Sequence, residues 1–308
     1  MKFIDKILDL TILYSFGSYG FIRHQKYFDK EDLSKRAAGK VCIITGANNG
    51  LGFYTAEKLA SNGAKVYMIC RNKTKGEVAV NKLISKGYNV FLEIVDLSDP
   101  MSIKNFAETF NEEKVDILVH NAGLIPNEKQ HNSDGIELAF ATHLLGPHLL
   151  TKLLIPKLSG SRIIWVTSGG MYLTKFSFTK SMSKFGKYSG LSSYAQTKRG
   201  QVILSEMWSE KLKKDNVLVS SMHPGWVKTP GIKESLPLFS KFLSGRLRSL
   251  SEGADTIHWL AVSNNKEING GELWFDRKKR NKYLWLTKER REERDALWNF
   301  CENFLKKF

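Results

Sequence analysis

Tyr194 and Lys198 have the types and spacing best suited to chemistry in this sequence. Four apart on a helix, they share a face. A phenol ionises near pH ~10, too high for acid/base work at neutrality. A neighbouring ammonium favours the phenolate and lowers that value. Ser168, at the end of the apolar run 161–167, can hydrogen-bond a substrate oxygen. Proton donor, tuner and orienter together suit proton transfer to or from a carbonyl or alcohol. Alone, Tyr-x-x-x-Lys is most often helix surface, so its weight depends on what the rest of the chain places beside it.

The elements that must position these residues alternate along the chain. Apolar runs at 40–45, 64–70, 89–95, 115–120, 161–167, 217–222 and 272–275 read as strands. Helical patterns follow at 53–62, from 74 to about 87, after 98–100, and at 135–158, 192–214, 252–262 and 287–307. Thr74-Lys75-Gly76-Glu77 reads as a capping box, and Ser98 or Asp99 as a cap ahead of Pro100. Continuous apolar strands between amphipathic helices predict an α/β fold, a doubly wound parallel sheet of the Rossmann type in a single domain. The expected organisation is an N-terminal extension over 1–39, a dinucleotide-binding domain over 40–276, and a basic amphipathic C-terminal helix over 277–308 packed on or extending it.

Ligands of such folds sit at the carboxyl ends of the strands. The first strand ends in Thr45-Gly46-Ala47-Asn48-Asn49-Gly50-Leu51-Gly52. Strand, glycine loop and helix can cradle a phosphate, because glycine permits close approach and the helix offers free N–H groups. The spacing G-x-x-x-G-x-G is looser than the usual dinucleotide fingerprint and also fits an ordinary glycine-rich turn. The second strand ends in Arg71-Asn72, where an NAD-binding fold would place an acidic residue. Arginine pairs with a 2′-phosphate that a carboxylate would repel, so the charge logic favours NADP(H) over NAD(H). Asp96-Leu97 ends the third strand; its carboxylate can accept from an adenine amino group or cap a helix. Asn121-Ala122-Gly123 ends the fourth and Pro224-Gly225 follows the sixth.

As a set, Thr45-Gly-x-x-x-Gly-x-Gly52, Asn121-Ala-Gly123, Ser168, Tyr194-x-x-x-Lys198 and Pro224-Gly225 resemble the short-chain dehydrogenase/reductase superfamily over about 40–275. The resemblance implies roles. Tyr194 would be the general acid/base, Lys198 would lower its pKa and hold the nicotinamide ribose, and Ser168 would position the carbonyl or alcohol. Arg71 would bind the 2′-phosphate. Gly46, Asn48, Asn49, Gly50, Leu51, Gly52, Asn72, Asp96, Leu97, Asn121, Ala122, Gly123, Pro224, Gly225, Val227 and Thr229 would line the cofactor with Tyr194 and Lys198. One position departs: the family places an asparagine where Phe140-Ala141-Thr142 is followed by His143. That asparagine anchors a water in the proton relay to the lysine. A histidine could hold the water through a ring nitrogen or leave the relay weakened, giving a cofactor-binding but feeble sensor or scaffold. His143 and His148 are five apart, wrong for two ligands on one helix face, so no metal is expected. Pro147 is expected to kink this helix.

Composition sets the remaining bounds. A chain of 308 residues, 42% hydrophobic and 25% charged, reads as globular. The net charge of +16 fits a solvated basic surface, an anionic cofactor or an anionic membrane face. No nucleic-acid motif accompanies it, and nucleic acid is not an expected partner. Cys42, Cys70 and Cys301 form no metal spacing and suggest a reducing compartment. The uncharged stretch 10–22 is shorter than the ~20 residues a membrane span needs and lacks a signal-peptide cleavage pattern. Phe3, Ile4, Ile7, Leu8 and Ile12 share a helical face that could pack on the domain or touch a membrane. The expected location is cytoplasmic, with peripheral contact to an intracellular membrane. Leu236, Leu238, Phe239, Phe242 and Leu243 fit a lipophilic carbonyl or alcohol substrate, or simple core packing. The resemblance also implies a homodimer through the helices at 135–158 and 192–214, unless the two terminal segments cover them.

Overall fold

A computed structural model describes residues 8–9, 11–29, 33, 37–182, 188–229, 241 and 245–307. Phe3, Ile4, Ile7, Leu236, Leu238, Phe239, Phe242 and Leu243 lie outside the described residues, as does the side chain of Ile12. In chain order the elements are α1 (Ile12–Phe16), α2 (Ser18–His24), β1 (Val41–Thr45), α3 (Gly50–Ser61), β2 (Lys65–Cys70) and α4 (Lys73–Ile84). Then come β3 (Val90–Ile94), α5 (Pro100–Thr109), β4 (Ile117–His120), α6 (Leu138–Lys157), β5 (Arg162–Val166), α7 (Phe178–Met182) and α8 (Gly190–Lys211). The chain closes with β6 (Leu218–Met222), α9 (Leu250–Val262), β7 (Leu273–Phe275), β8 (Lys278–Arg280) and α10 (Arg291–Leu305). The strands form one sheet in the order β3-β2-β1-β4-β5-β6-β7-β8, parallel except for β8. This is the doubly wound α/β architecture.

The alternation of side chains along each strand builds two cores. Ile43, Leu118, Ile163 and Val219 face one way, against Leu144 and Leu150 of α6, Ile203 and Trp208 of α8, and Leu297 and Cys301 of α10. Cys42, Ile44, Val66, Met68, Val119 and Ile164 face the other way, against Leu59 of α3, Leu83 of α4 and Ile257 and Trp259 of α9. All three cysteines are buried and free. The α6 stretch is long and apolar enough to cross a membrane, but most of it is buried in the first core.

Several boundaries differ from the sequence reading. The cap of α4 is Asn72, whose side chain accepts from the Lys75 N–H at 2.9 Å, because Asn72 rather than Thr74 sits at the helix entry. Asp99 caps α5 by accepting from Met101 N–H at 3.0 Å, with Pro100 in the first turn. Gly135 stands in a turn with φ +74°, so α6 starts three residues later. The segment after Phe275 is a strand before it is a helix. Asp276 and Arg277 both adopt left-handed φ values, 50° and 54°, which is the tight-turn geometry that folds β8 back onto β7. An Asp-Arg pair carries little of the usual glycine signal for such a turn.

The described N-terminal residues pack on the domain. Gly17 breaks the 10–22 stretch into α1 and α2. Arg248 lies beneath this break, donating to Ser15 O at 3.0 Å and Phe16 O at 2.9 Å, while its fork holds Asp276 at 2.6 and 2.8 Å. His24, fully buried, bridges Asp276 and Asp9, each at 2.6 Å. Burial alone would lower the His24 pKa; hydrogen bonds and charge from Asp276 and Asp9 outweigh it and raise it above 6.5. A raised folded value means that this stabilisation is complete below pH 6.5 and fades as pH rises through the folded value. His24→Phe should therefore cost about 3 kcal/mol at pH 6 by removing the cation that bridges two buried carboxylates, which keep only their arginine partners, and clearly less at pH 9. Chemical denaturation at both pH values measures this; a pH-independent loss would contradict the role.

Candidate active site

The strand ends converge as the topology requires. Thr45, closing β1, ties the glycine loop to β4: its hydroxyl accepts from the Asn121 and Ala122 N–H groups at 2.9 and 3.0 Å. The Asn121 side-chain amide donates to Thr45 O at 2.8 Å and Gly46 O at 3.2 Å. Gly46 has φ +65°, and a Cβ there would lie 2.8 Å from Ala122 Cα, so only glycine fits. A Cβ on Gly52 would collide with the Asn121 amide and Gly46 O. Asn49 begins α3 with no side-chain cap, and Asn48 precedes it half-buried, so the first-turn N–H groups remain available to an anion. Gly50 has φ +57°, and a Cβ there would touch Thr229 Cγ2 at 3.8 Å. Leu51 and Val227 pack together over Gly253, which brings the segment after Pro224-Gly225 beside the glycine loop.

Arg71 is exposed at the exit of β2, with no ion-pair partner among the described residues. Asn72 stands beside it, but its side chain is committed to capping α4. Asp96 spends Oδ1 on the Ser98 N–H and hydroxyl, at 2.8 and 2.7 Å; the helix cap is Asp99 instead. Leu97 is buried in the first core, with its carbonyl against Gly146. These residues fit a dinucleotide along the carboxyl edge of β1 to β4. Glycine cradle, uncapped helix and exposed cation lie at the ends of β1 and β2.

Ser168, Tyr194 and Lys198 come together beyond Gly123. Tyr194 is half-buried, and the Ser168 side chain lies near enough to favour its ionised form by hydrogen bonding. The Ser168 oxygen accepts from Gly170 N–H at 3.2 Å. Lys198 is buried, and its ammonium lies 5.6 Å from the Tyr194 ring centre. It donates instead to Val166 O at 2.9 Å and Gln201 Oε1 at 3.0 Å. Burial draws the Lys198 pKa down to about 7. The phenol departs from expectation: burial raises the Tyr194 pKa, against a lowering contribution from Ser168. The shared helix face puts lysine under the ring rather than beside the hydroxyl.

His143 sits in a π turn, Ala141–Leu145, within α6. Both ring nitrogens are committed. Nε2 accepts from Leu124 N–H at 2.9 Å, so the neutral ring carries its proton on Nδ1, which lies 2.8 Å from Thr197 Oγ1. The Thr197 hydroxyl donates onward to Tyr194 O at 3.0 Å. Burial, with the Lys198 charge, holds the His143 pKa well below 6.5, so the ring stays neutral. The ring therefore braces the β4 loop against α8 and has no nitrogen left for a water. The backbone carbonyl of His143 is also taken. Pro147, four residues on, has no N–H to offer it, and Gln201 Nε2 donates to it at 3.1 Å. Gln201 thus links the His143 carbonyl to the Lys198 ammonium. Gln201, Thr197 and Leu124 were missed in the sequence, although Gln201 lies three residues after Lys198 on the same face and Pro147 four after His143.

The N-terminal segment also reaches this cleft. A Cβ on Gly169, next to Ser168, would strike the Phe16 ring. Phe16 packs with His223 at 4.6 Å and Trp226 at 5.9 Å between ring centres. An apolar wall from the start of the chain thus adjoins Ser168. Among the described residues no group of three His, Cys, Asp or Glu could hold a metal.

The family model for short chain dehydrogenases matches residues 40–237. The chain belongs to the short-chain dehydrogenase/reductase family. It is 39% identical over 269 residues to Dehydrogenase/reductase SDR family member 12 of Homo sapiens, covering 85% of this chain and 84% of that one. It is 34% identical over 276 residues to Retinol dehydrogenase 12 of Homo sapiens, covering 86% of each. In fold it matches L-sorbose reductase from Gluconobacter frateurii, solved with NADPH and L-sorbose, with TM-score 0.63 and 23% identity over 79% of this chain and 96% of that chain. As a member of this family the chain is an oxidoreductase.

Two outcomes test the geometry of the family site. Because the folded Lys198 pKa is depressed, its burial penalises the fold below about pH 7 and fades as pH rises toward 10.5. The stability of Lys198→Met relative to the parent should therefore fall as pH rises from 7 to 10, measured by denaturant midpoints; a flat difference would contradict a buried, depressed ammonium. Gln201→Leu removes a donor and an acceptor from buried partners and should cost about 2 kcal/mol by the same assay.

Proposed function

We propose that the chain is an NADP(H)-dependent reductase or dehydrogenase that interconverts a carbonyl and an alcohol on a lipophilic substrate in the cytoplasm, against a membrane surface. The observation that carries this reading is the convergence of Ser168, Tyr194 and Lys198 at the strand ends that also carry the glycine cradle. When bound, the nicotinamide would supply or accept the hydride. In the reductive direction Tyr194 gives its hydroxyl proton to the developing alkoxide, and Ser168 Oγ–H holds that oxygen in place. Lys198, with a pKa drawn to about 7, gains charge beside a bound anionic cofactor and then stabilises the phenolate. The raised Tyr194 pKa suits an acid that keeps its proton until the cofactor and Lys198 are in place.

NADP(H) is favoured because Arg71 stands exposed where a carboxylate would select NAD(H). The lipophilic substrate class is supported by the name of the retinol dehydrogenase relatives and by the Phe16, His223 and Trp226 wall. A weaker, cofactor-sensing protein is the second reading. What favours it is that both His143 ring nitrogens are committed, to Leu124 N–H and to Thr197, which leaves none for a relay water.

Tyr194→Phe should lower turnover by about 10³-fold while cofactor affinity stays within a few-fold of the parent; unchanged turnover rejects the mechanism. Arg71→Glu should raise the KM for NADPH at least tenfold and leave that for NADH little altered, measured by cofactor oxidation with lipophilic aldehydes. If the second reading holds, His143→Asn combined with Gln201→Ala raises turnover, whereas a loss of turnover speaks for an adapted enzyme.

A further inference from the structure

The turn between β8 and α10 ends in three consecutive apolar residues that face solvent. Leu284, Trp285 and Leu286 are 51, 92 and 83% exposed. Scattered exposed apolar residues need no explanation, but a contiguous tip of leucine, tryptophan and leucine does. The tip is built rather than frayed. Thr287 N–H donates to Leu284 O at 3.1 Å, and Leu284 N–H to Thr287 Oγ1 at 2.9 Å. Leu286 holds φ +66°, a left-handed conformation that costs a bulky side chain energy. The buried Arg199 guanidinium clamps both legs, donating to Lys282 O on one and to Thr287 O at 3.2 Å on the other. Backbone strain and a buried cation thus hold apolar side chains outward.

The segment that carries the tip has a basic excess. Residues 278–291 contain seven Lys and Arg and one acidic residue, Glu289. Glu289 is buried and engaged by Arg294 at 2.8 Å. Lys279, Arg290 and Arg291 are largely exposed; Lys279 pairs with Glu272 at 2.6 Å, while Arg290 and Arg291 make only loose contacts with Glu293 at 4.0 Å and Asp295 at 3.7 Å. Tryptophan favours the boundary between hydrocarbon and headgroups, where its ring is half solvated. A rim of cations around it draws anionic headgroups. A convex three-residue tip presents far less than the ~800 Å² per side of a stable protein interface. A bilayer needs no complementary hollow to receive it.

We propose that the Leu284-Trp285-Leu286 tip, with its basic rim, is a docking element for an anionic lipid bilayer. This assigns membrane contact to the far end of the chain from the apolar N-terminal stretch. The segment that leads into the tip also touches the turn after Ser168. The Tyr172 hydroxyl donates to Asn281 O at 2.6 Å, and Tyr172 lies in the Gly169–Leu173 turn that directly follows Ser168. Arg199, the clamp of the tip, directly follows Lys198.

The test uses the full chain and sucrose-loaded vesicles of phosphatidylcholine alone or with about one-third phosphatidylserine, in low and physiological salt. Binding should require phosphatidylserine and weaken with salt. Trp285→Ser with Leu286→Ser should weaken it at least tenfold while leaving the thermal midpoint unchanged. Lys279→Glu with Arg290→Glu and Arg291→Glu should abolish the phosphatidylserine dependence. Of the seven tryptophans, Trp285 is the one fully exposed among the described residues, so vesicles should protect it from acrylamide in the parent but change nothing in Trp285→Phe. Undiminished vesicle binding by the double serine variant overturns the proposal and points to another segment. Absence of vesicle binding in the parent, with a dimer that the serine variant dissociates, overturns it in favour of a second copy. Turnover of a water-soluble aldehyde by the serine variant at the parent rate separates failure of docking from failure of the catalytic reading.

Discussion

One backbone carbonyl governs the candidate site. His143 O lies four residues before a proline, so the helix cannot supply its donor. An unpaired buried carbonyl costs about 1–3 kcal/mol, and the chain meets this cost with the Gln201 side chain. The same amide then turns its oxygen to Lys198. The π turn that absorbs the proline rotates the His143 ring toward Leu124 and Thr197, which fixes the β4 loop against α8. The missing N–H is thus answered from α8, through the one side chain that also holds the lysine.

A second constraint acts from outside the sheet. Arg248, Asp276, His24 and Asp9 gather three segments far apart in sequence: the start of the chain, the entry to α9 and the β7–β8 turn. Such buried ions stabilise only when every charge is matched, and here each carboxylate oxygen of Asp276 meets a donor. The outcome is positional as much as energetic. The cluster seats Phe16 against Gly169 and so gives the cleft a wall that the doubly wound core does not supply. On the opposite flank α10 covers α6 and α8, with Trp298 against Trp208 at 5.0 Å and Glu302 shared by His148 and Lys152.

The strands and their order were legible because each is a short apolar run ending in a residue with distinctive chemistry. The convergence of Ser168, Tyr194 and Lys198 followed from their places at strand ends and on one helix face. What escaped was set by contacts distant in sequence. Nothing local marks Gln201 as the partner of a carbonyl 58 residues earlier. Helical spacing brings lysine and phenol close but says nothing of burial, which sets the direction of the phenol's shift. β8 was hidden because its turn uses Asp276 and Arg277 rather than glycine, and their left-handed backbone is held by contacts with Thr256 and Asp255. Thr74 lost the cap of α4 to Asn72 because an asparagine at the strand exit reaches the helix first.

The clamp made by Arg199 has a meaning for how this surface can change over time. One planar guanidinium of fixed width touches the carbonyls of Lys282 and Thr287, five positions apart. A residue gained or lost between them would leave one carbonyl out of reach and a buried cation half satisfied. The length of the segment is thus fixed. Surface loops ordinarily tolerate insertion, since lengthening costs little closure entropy. This one is gauged by a ruler that stands next to the lysine of the site.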